Sequence, residues 1–124
     1  MDVRFRDLDP LGHVNNAVFL SYMELARIRY FQRISPDWLE EGHFVVARME
    51  VDYLRPILLG DEVFVGGRTV GIGRSSLRME HLVTANGESA AKGLGVLVWL
   101  EGGRPAPLPE AIRERIRALE GRPL

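Results

Sequence analysis

Residues 16–33 repeat apolar side chains at helical spacing around so much of the circumference that a helix here has to be buried inside its own domain. Phe19, Leu20, Met23, Ala26, Tyr30 and Phe31 form one stripe, and Val18, Tyr22 and Leu25 widen it. Charges are confined to Glu24, Arg27, Arg29 and Arg33. At ~1.5 Å per residue such a helix spans ~27 Å, about the width of a small sheet. Glu24 and Arg27, three residues apart, can pair on an exposed rim. What remains of the chain has to supply the sheet.

It supplies strands. Residues 3–6 alternate Val3 and Phe5 against Arg4 and Arg6, which predicts a first strand, ended by Pro10 and Gly12. Ser35 and Pro36 stop the helix, and residues 37–41 add a further turn before Gly42. Over residues 45–53, Val45, Ala47, Met49, Val51 and Tyr53 share one face and Arg48, Glu50 and Asp52 the other. Residues 62–72 read as the next strand, with Gly66 and Gly67 predicting a bulge or bend. A tight turn at 71–75 leads into a strand over 76–84, and Asn86-Gly87 is a strong hairpin signal. Residues 90–100 are almost continuously apolar, as a covered central strand requires. Gly102, Gly103 and the prolines at 105, 107 and 109 form a spacer. Residues 109–119 then make a short helix with Ile112, Ile116 and Leu119 on one side.

A strand, one buried helix and a run of strands argue for an α+β fold. The expected form is a five-stranded, mainly antiparallel sheet curled around the helix, with a short C-terminal helix. With 124 residues, one domain covering 1–124 is expected. One helix covers one sheet face, so the far face and the edges favour a homo-oligomer. Sixteen basic and 17 acidic residues leave a formal charge of −1, which gives no drive toward nucleic acid or an anionic membrane surface. No apolar run reaches the ~18 residues of a membrane span, and a cytoplasmic protein is the default expectation. The chain has no Cys, which excludes disulfides, thiolate metal sites and Cys nucleophiles. No metal-ligand spacing is present either; His43 and His81 stand in strands without companions.

Chemistry concentrates just before the long helix. Asp7 and Asp9, then Pro10, Gly12, His13, Asn15 and Asn16, crowd around a helix N-terminus, where unsatisfied N–H groups and the dipole favour a carbonyl oxygen gaining negative charge. Each residue also has a bland reading. Asp9 before Pro10 suits an Asx-type turn, His13 can bond a loop carbonyl, and Asn15 or Asn16 can cap the helix. One cap does not account for both Asn. Asp7 is either a like-charged neighbour of Asp9 or, with more weight, a structural partner for Arg4, Arg6 or another chain's Arg.

The block Asp7-Leu8-Asp9-Pro10-Leu11-Gly12-His13-Val14-Asn15-Asn16, followed by Phe19, Tyr22, Glu24, Ala26 and Arg27, resembles the motif of acyl-CoA thioesterases of the 4-hydroxybenzoyl-CoA thioesterase and YbgC-like hotdog family. The resemblance implies a hotdog fold and hydrolysis of an acyl-CoA to a carboxylic acid and coenzyme A. No metal or redox cofactor is implied, and coenzyme A enters only as part of the substrate. Asp9 aligns with the family's catalytic carboxylate, as nucleophile or as general base on water. Backbone N–H groups near Asn16, Ala17 and Val18 would polarise the thioester carbonyl. The YbgC-like pattern has a His where this chain has Asn16. The Gly-His-Val-Asn-Asn variant also resembles a stretch of plant acyl-carrier-protein thioesterases in which a His is implicated. His13 and Asn16 are therefore both expected at the site, and which of them assists stays open. Asn15 and Tyr22 are expected beside them.

For the phosphates of coenzyme A, Arg55, Arg74, Ser75, Ser76 and Lys92 are candidates, because Arg forks suit phosphate. The turn Gly73-Arg74-Ser75-Ser76 resembles the family's turn at that point. Fifteen Arg in the chain make chance placement a serious alternative. Glu24 is a rival base, because another thioesterase branch uses a helix Glu. Hotdog relatives pair their sheets and share pockets, so the resemblance implies at least a dimer, and a tetramer beyond it. The rival functions are a hydratase or dehydratase of acyl thioesters on the same scaffold, and a non-catalytic acyl-thioester-binding module.

Overall fold

The computed structural model describes residues 1–34 and 42–124. The helix stop expected at Ser35 and Pro36 and the turn over 37–41 lie outside the described residues. Helix α1 (Asn16–Ile34) is followed by β1 (His43–Tyr53), β2 (Val63–Ile72), β3 (Ser76–Ala85), β4 (Glu88–Glu101), β5 (Arg104–Pro105) and α2 (Glu110–Glu120). All pairings are antiparallel, in the order β1-β4-β3-β2, with β5 returning along the end of β4. The apolar run of β4 is thus central, as its sequence requires. The β3–β4 hairpin turns at Asn86 and Gly87 with φ of 53° and 80°, the two positive values that make Asn-Gly the natural pair there.

Helix α1 lies against this sheet. Phe19, Met23, Tyr30 and Phe31 are buried as predicted, but Leu20 is 39% exposed. One apolar cluster joins Phe19, Tyr22 and Met23 to Val63, Val83 and Ala91 at the end where the helix begins. A second joins Tyr30, Phe31 and Ile34 to Leu77, Trp99 and the Ile112 and Ile116 face of α2 at the other end. Tyr30, Thr69 and Glu120 tie α2 down. The Glu120 carboxylate accepts from Tyr30 Oη at 2.7 Å and from Thr69 N–H at 2.9 Å.

Five sequence expectations are corrected. Residues 3–6 do not form a strand. A 3-10 turn over Phe5–Asp7 takes their place, because Asp7 accepts from both the N–H and the guanidinium of Arg4, and Phe5 has no face to bury. The fifth strand is the two-residue β5, inside the predicted spacer. In β1 the register slips between Val46 and Arg48. That extra residue reverses the alternation, so Phe44, not Val45, packs inward, its ring stacked on Phe31 at 4.7 Å. The bulge in β2 falls between Thr69 and Gly71, while Gly66 and Gly67 stay in register opposite Leu82 and His81. Finally, Arg27 is not on an exposed rim. It is buried and makes no ion pair with Glu24.

Candidate active site

The segment before α1 is built as a small closed loop. Leu8 bridges Val14, and His13 bridges Leu58 in the β1–β2 connection. Asp9 N–H donates to the His13 carbonyl at 2.7 Å, and Gly12 N–H to the Asp9 carbonyl at 3.0 Å. Asp9 Oδ1 accepts from the N–H groups of Leu11 (2.9 Å) and His13 (3.1 Å). The Asx-type turn and a chemical role are therefore compatible. One carboxylate oxygen fixes the loop, and Oδ2 takes no hydrogen bond from the described residues. Gly12, at φ 81°, supplies the left-handed step that closes the loop.

At the helix start the two Asn separate. Asn15 is the cap: its Oδ1 accepts from Ala17 N–H at 2.9 Å and its carbonyl from Val18 N–H at 2.9 Å. Asn15 N–H is spent on the Asp7 carbonyl. Of the three N–H groups expected near the carbonyl, those of Ala17 and Val18 are occupied, and that of Asn16 has no partner among the described residues. The Asn16 side chain is exposed, and its carbonyl accepts from Tyr53 Oη at 3.0 Å. The Tyr53 ring stands edge-on to Phe19, centroids 5.2 Å apart.

These groups face one cleft of about 300 Å³, whose walls include Asp9, His13, Asn16, Phe19, Tyr53 and Arg55. Asp9 and His13 are half-buried there. Arg55 forms an ion pair with Glu88 at the rim. Four residues expected at the site, Asp9, His13, Asn16 and Arg55, are thus brought together, and Tyr53, read from sequence as part of one strand face, joins them. Its place was not legible, because the contact to Asn16 crosses 37 residues of chain.

The others lie elsewhere. Tyr22 is buried behind the loop, beside a separate hollow of about 410 Å³ that also touches Arg4, Asp7 and Glu24. Its hydroxyl has no hydrogen-bond partner among the described residues, and burial followed by the Asp7 charge raises its pKa. Asp7 is buried against Arg4 (2.9 Å), and the Arg4 hydrogen bonds hold its carboxyl below the usual range. Arg74, Ser75 and Ser76 sit in the β2–β3 turn, where Leu108 N–H and Arg113 bond the Arg74 carbonyl. Ser76 pairs with Val98 and Val83 with Ala91, so the turn stands about seven strand residues, roughly 24 Å, from the cleft end of the same sheet. A single chain does not bring these three to Asp9. A hollow of about 510 Å³ lies over Gly66 and Gly67 with His81 in its wall, away from the carboxylate loop. Among the described residues no three His, Asp or Glu side chains gather to hold a metal ion, and no helix is long and apolar enough to cross a membrane.

A curled antiparallel sheet around one long helix, with a carboxylate loop at the helix N-terminus, defines a hotdog fold of the thioester-processing kind. The sequence model of the Thioesterase-like superfamily matches residues 3–116. The chain belongs to that superfamily and is a hotdog thioesterase. It is 98% identical to a thioesterase from Thermus thermophilus whose crystal structure holds coenzyme A and Zn, with a TM-score of 0.95 over 100% of this chain and 93% of that one. It is 33% identical to the uncharacterized protein YsmA of Bacillus subtilis (strain 168), over 79% of this chain and 68% of that protein. It is 27% identical to a chloroplastic acyl-acyl carrier protein thioesterase of Arabidopsis thaliana, over 93% of this chain, and spans 64% of that relative's length.

Proposed function

We propose that the chain hydrolyses acyl-CoA thioesters, with the acyl carbonyl held at the start of α1 and Asp9 supplying the reactive carboxylate. The observation that carries this reading is the pairing, in one cleft, of an Asp9 oxygen left open by its loop with an Asn16 N–H left open by its helix. An N–H at a helix N-terminus stabilises the oxyanion formed as the carbonyl is attacked. Asp9 either takes the proton of the attacking water or attacks the carbonyl itself, giving a mixed anhydride that water then opens. In both routes the C–S bond breaks, coenzyme A leaves as the thiolate, and the acyl group departs as a carboxylic acid. Thiolate is a good leaving group, so no strong acid is needed at sulfur. His13 lines the same cleft and is placed to orient the water, and Tyr53 holds the Asn16 carbonyl. The route calls on no metal or redox cofactor.

The Thermus thermophilus thioesterase, with its bound coenzyme A, supports coenzyme A as the carrier. Arg55 at the cleft rim suits its phosphates. Arg74, Ser75 and Ser76 would reach a cleft only from a neighbouring subunit, which fits a homo-oligomer, at least a dimer and by family pattern a tetramer. Exposed Val45 and Val46 on edge strand β1 and Phe64 on β2 support such a partner.

The test is release of free thiol from short, long and aromatic acyl-CoAs by wild type and Asp9→Asn. Turnover should fall at least about a hundredfold in the variant, with substrate binding retained. Undiminished turnover moves the role to Glu24 or His13. Binding of every thioester with hydrolysis of none makes the chain an acyl-thioester-binding module instead.

A further inference from the structure

Beneath the middle of α1 the core contains two polar side chains, Arg27 and His81. Arg27 is 7% exposed and His81 3% exposed. Neither ring nitrogen of His81 has a hydrogen-bond partner among the described residues. The guanidinium of Arg27 donates to the Met49 thioether, Nη1 to Sδ at 3.9 Å, and has no carboxylate within ion-pair distance among the described residues. Burial works against the Arg27 charge, and Glu24 favours it only from a distance. A buried cation with no counter-charge beside it is disfavoured and persists where something else answers it.

The surroundings are filled by side chains that can move. His81 is flanked in register by Gly67 on β2 and Gly93 on β4. A Cβ at Gly93 would stand 2.7 Å from Met23 Sδ, and one at Gly95 would stand 2.8 Å from Met49 Sδ. Two flexible thioether side chains thus occupy the space that these glycines open, and such side chains shift at low cost. Met23 is one helical turn beyond Phe19, which lines the Asp9 cleft, and Arg27 is one turn beyond Met23. From Asn16 to Arg27 the helix rises roughly 16 Å. Arg27 leans back toward the helix start, so its guanidinium lies roughly 10 Å from the carbonyl position, the length of a medium acyl chain.

We infer that Arg27 and His81 form the inner end of the acyl chamber and select acyl groups carrying a hydrogen-bond acceptor, above all a carboxylate, at the end remote from the thioester. The inference rests on the acyl-CoA reading and adds the substrate class. Met23 and Met49 swing aside as the chain enters, and the terminal acceptor takes N–H groups of the guanidinium and the imidazole.

The experiment compares kcat/KM for decanoyl-CoA and its ω-carboxy analogue, using the assembled protein as purified. Wild type should favour the acid-ended chain at least about tenfold, as expected of hydrogen bonds to a charged group. Arg27→Met, similar in volume and uncharged, should reverse the preference. His81→Leu should reduce it, and Arg27→Lys should retain part of it. Arg27→Met should also melt higher than wild type, because an unanswered buried charge has been removed. Hydrolysis of both substrates without preference, or an equal loss on both in Arg27→Met, overturns the inference and leaves the thioesterase reading intact. Dissociation of the oligomer or a lower melting temperature in Arg27→Met, with the ratio unchanged, overturns it in favour of a carboxylate from a second copy. Hydrolysis of neither substrate, by contrast, overturns the acyl-CoA reading and the inference with it.

Discussion

Stability should depend on pH through His81 in a way that a single substitution removes. Burial, assisted by the charge of Arg27, lowers the imidazole pKa from its ordinary 6.5 to about 4. In the unfolded chain the ring is exposed and takes up a proton first as pH falls. The contribution is therefore complete above pH 6.5, declines from 6.5 toward about 4, and is flat below. The interval from 6.5 to about 4, at ~1.4 kcal/mol per pH unit, sets a ceiling of ~3 kcal/mol on the loss. Asp7 acts lower. Its depressed carboxyl stabilises above its ordinary 3.8 and loses that contribution only as pH drops below it, so the two windows hardly overlap. The measurement is urea unfolding of wild type and His81→Leu at pH 7.0, 6.0, 5.0 and 4.5, the difference between the two proteins isolating the ring. Wild type should lose up to ~2–3 kcal/mol relative to the variant across that range. Parallel curves would show that a carboxylate, solvent or a partner chain already answers His81 in the folded protein, and would refute the reasoning.

Two further substitutions test the packing around the site. Glu120→Ala removes the acceptor shared by Tyr30 Oη and Thr69 N–H, and should cost ~1–3 kcal/mol in thermal or denaturant unfolding with thioester hydrolysis little changed. Gly93→Ala places a methyl against Met23 Sδ under the helix; stability should fall by ~1–2 kcal/mol, and kcat/KM should fall more for long acyl chains than for acetyl-CoA.

The covalent pattern of the chain carried much of this. The helix over residues 16–34, the hairpin at Asn86-Gly87, the central place of β4 and the Ile112 and Ile116 face of α2 follow from periodicity and turn chemistry, which act over a few residues. The carboxylate loop was legible for the same reason: Asp9 bonds to Leu11, Gly12 and His13, and Asn15 to Asp7, Ala17 and Val18, all close by in the chain. What failed was what a neighbour decides. Residues 3–6 alternate like a strand but have no strand to pair with, so Arg4 and Asp7 close a 3-10 turn. In β1 one extra residue at the bulge exchanged the faces of Val45 and Phe44, a switch that no alternation can announce. Arg27 reads as a surface residue three positions from Glu24, yet the width of the buried stripe draws its stem under the sheet. His81 reads as one polar residue among many in a strand. Only the antiparallel register sets it between Gly67 and Gly93, beneath the helix and with no partner for either nitrogen among the described residues. Local pattern determined the helix, the turns and the carboxylate loop, because their hydrogen bonds close over short stretches of chain. Tertiary structure decided which polar groups were left unanswered, because burial is set by residues dozens of positions away.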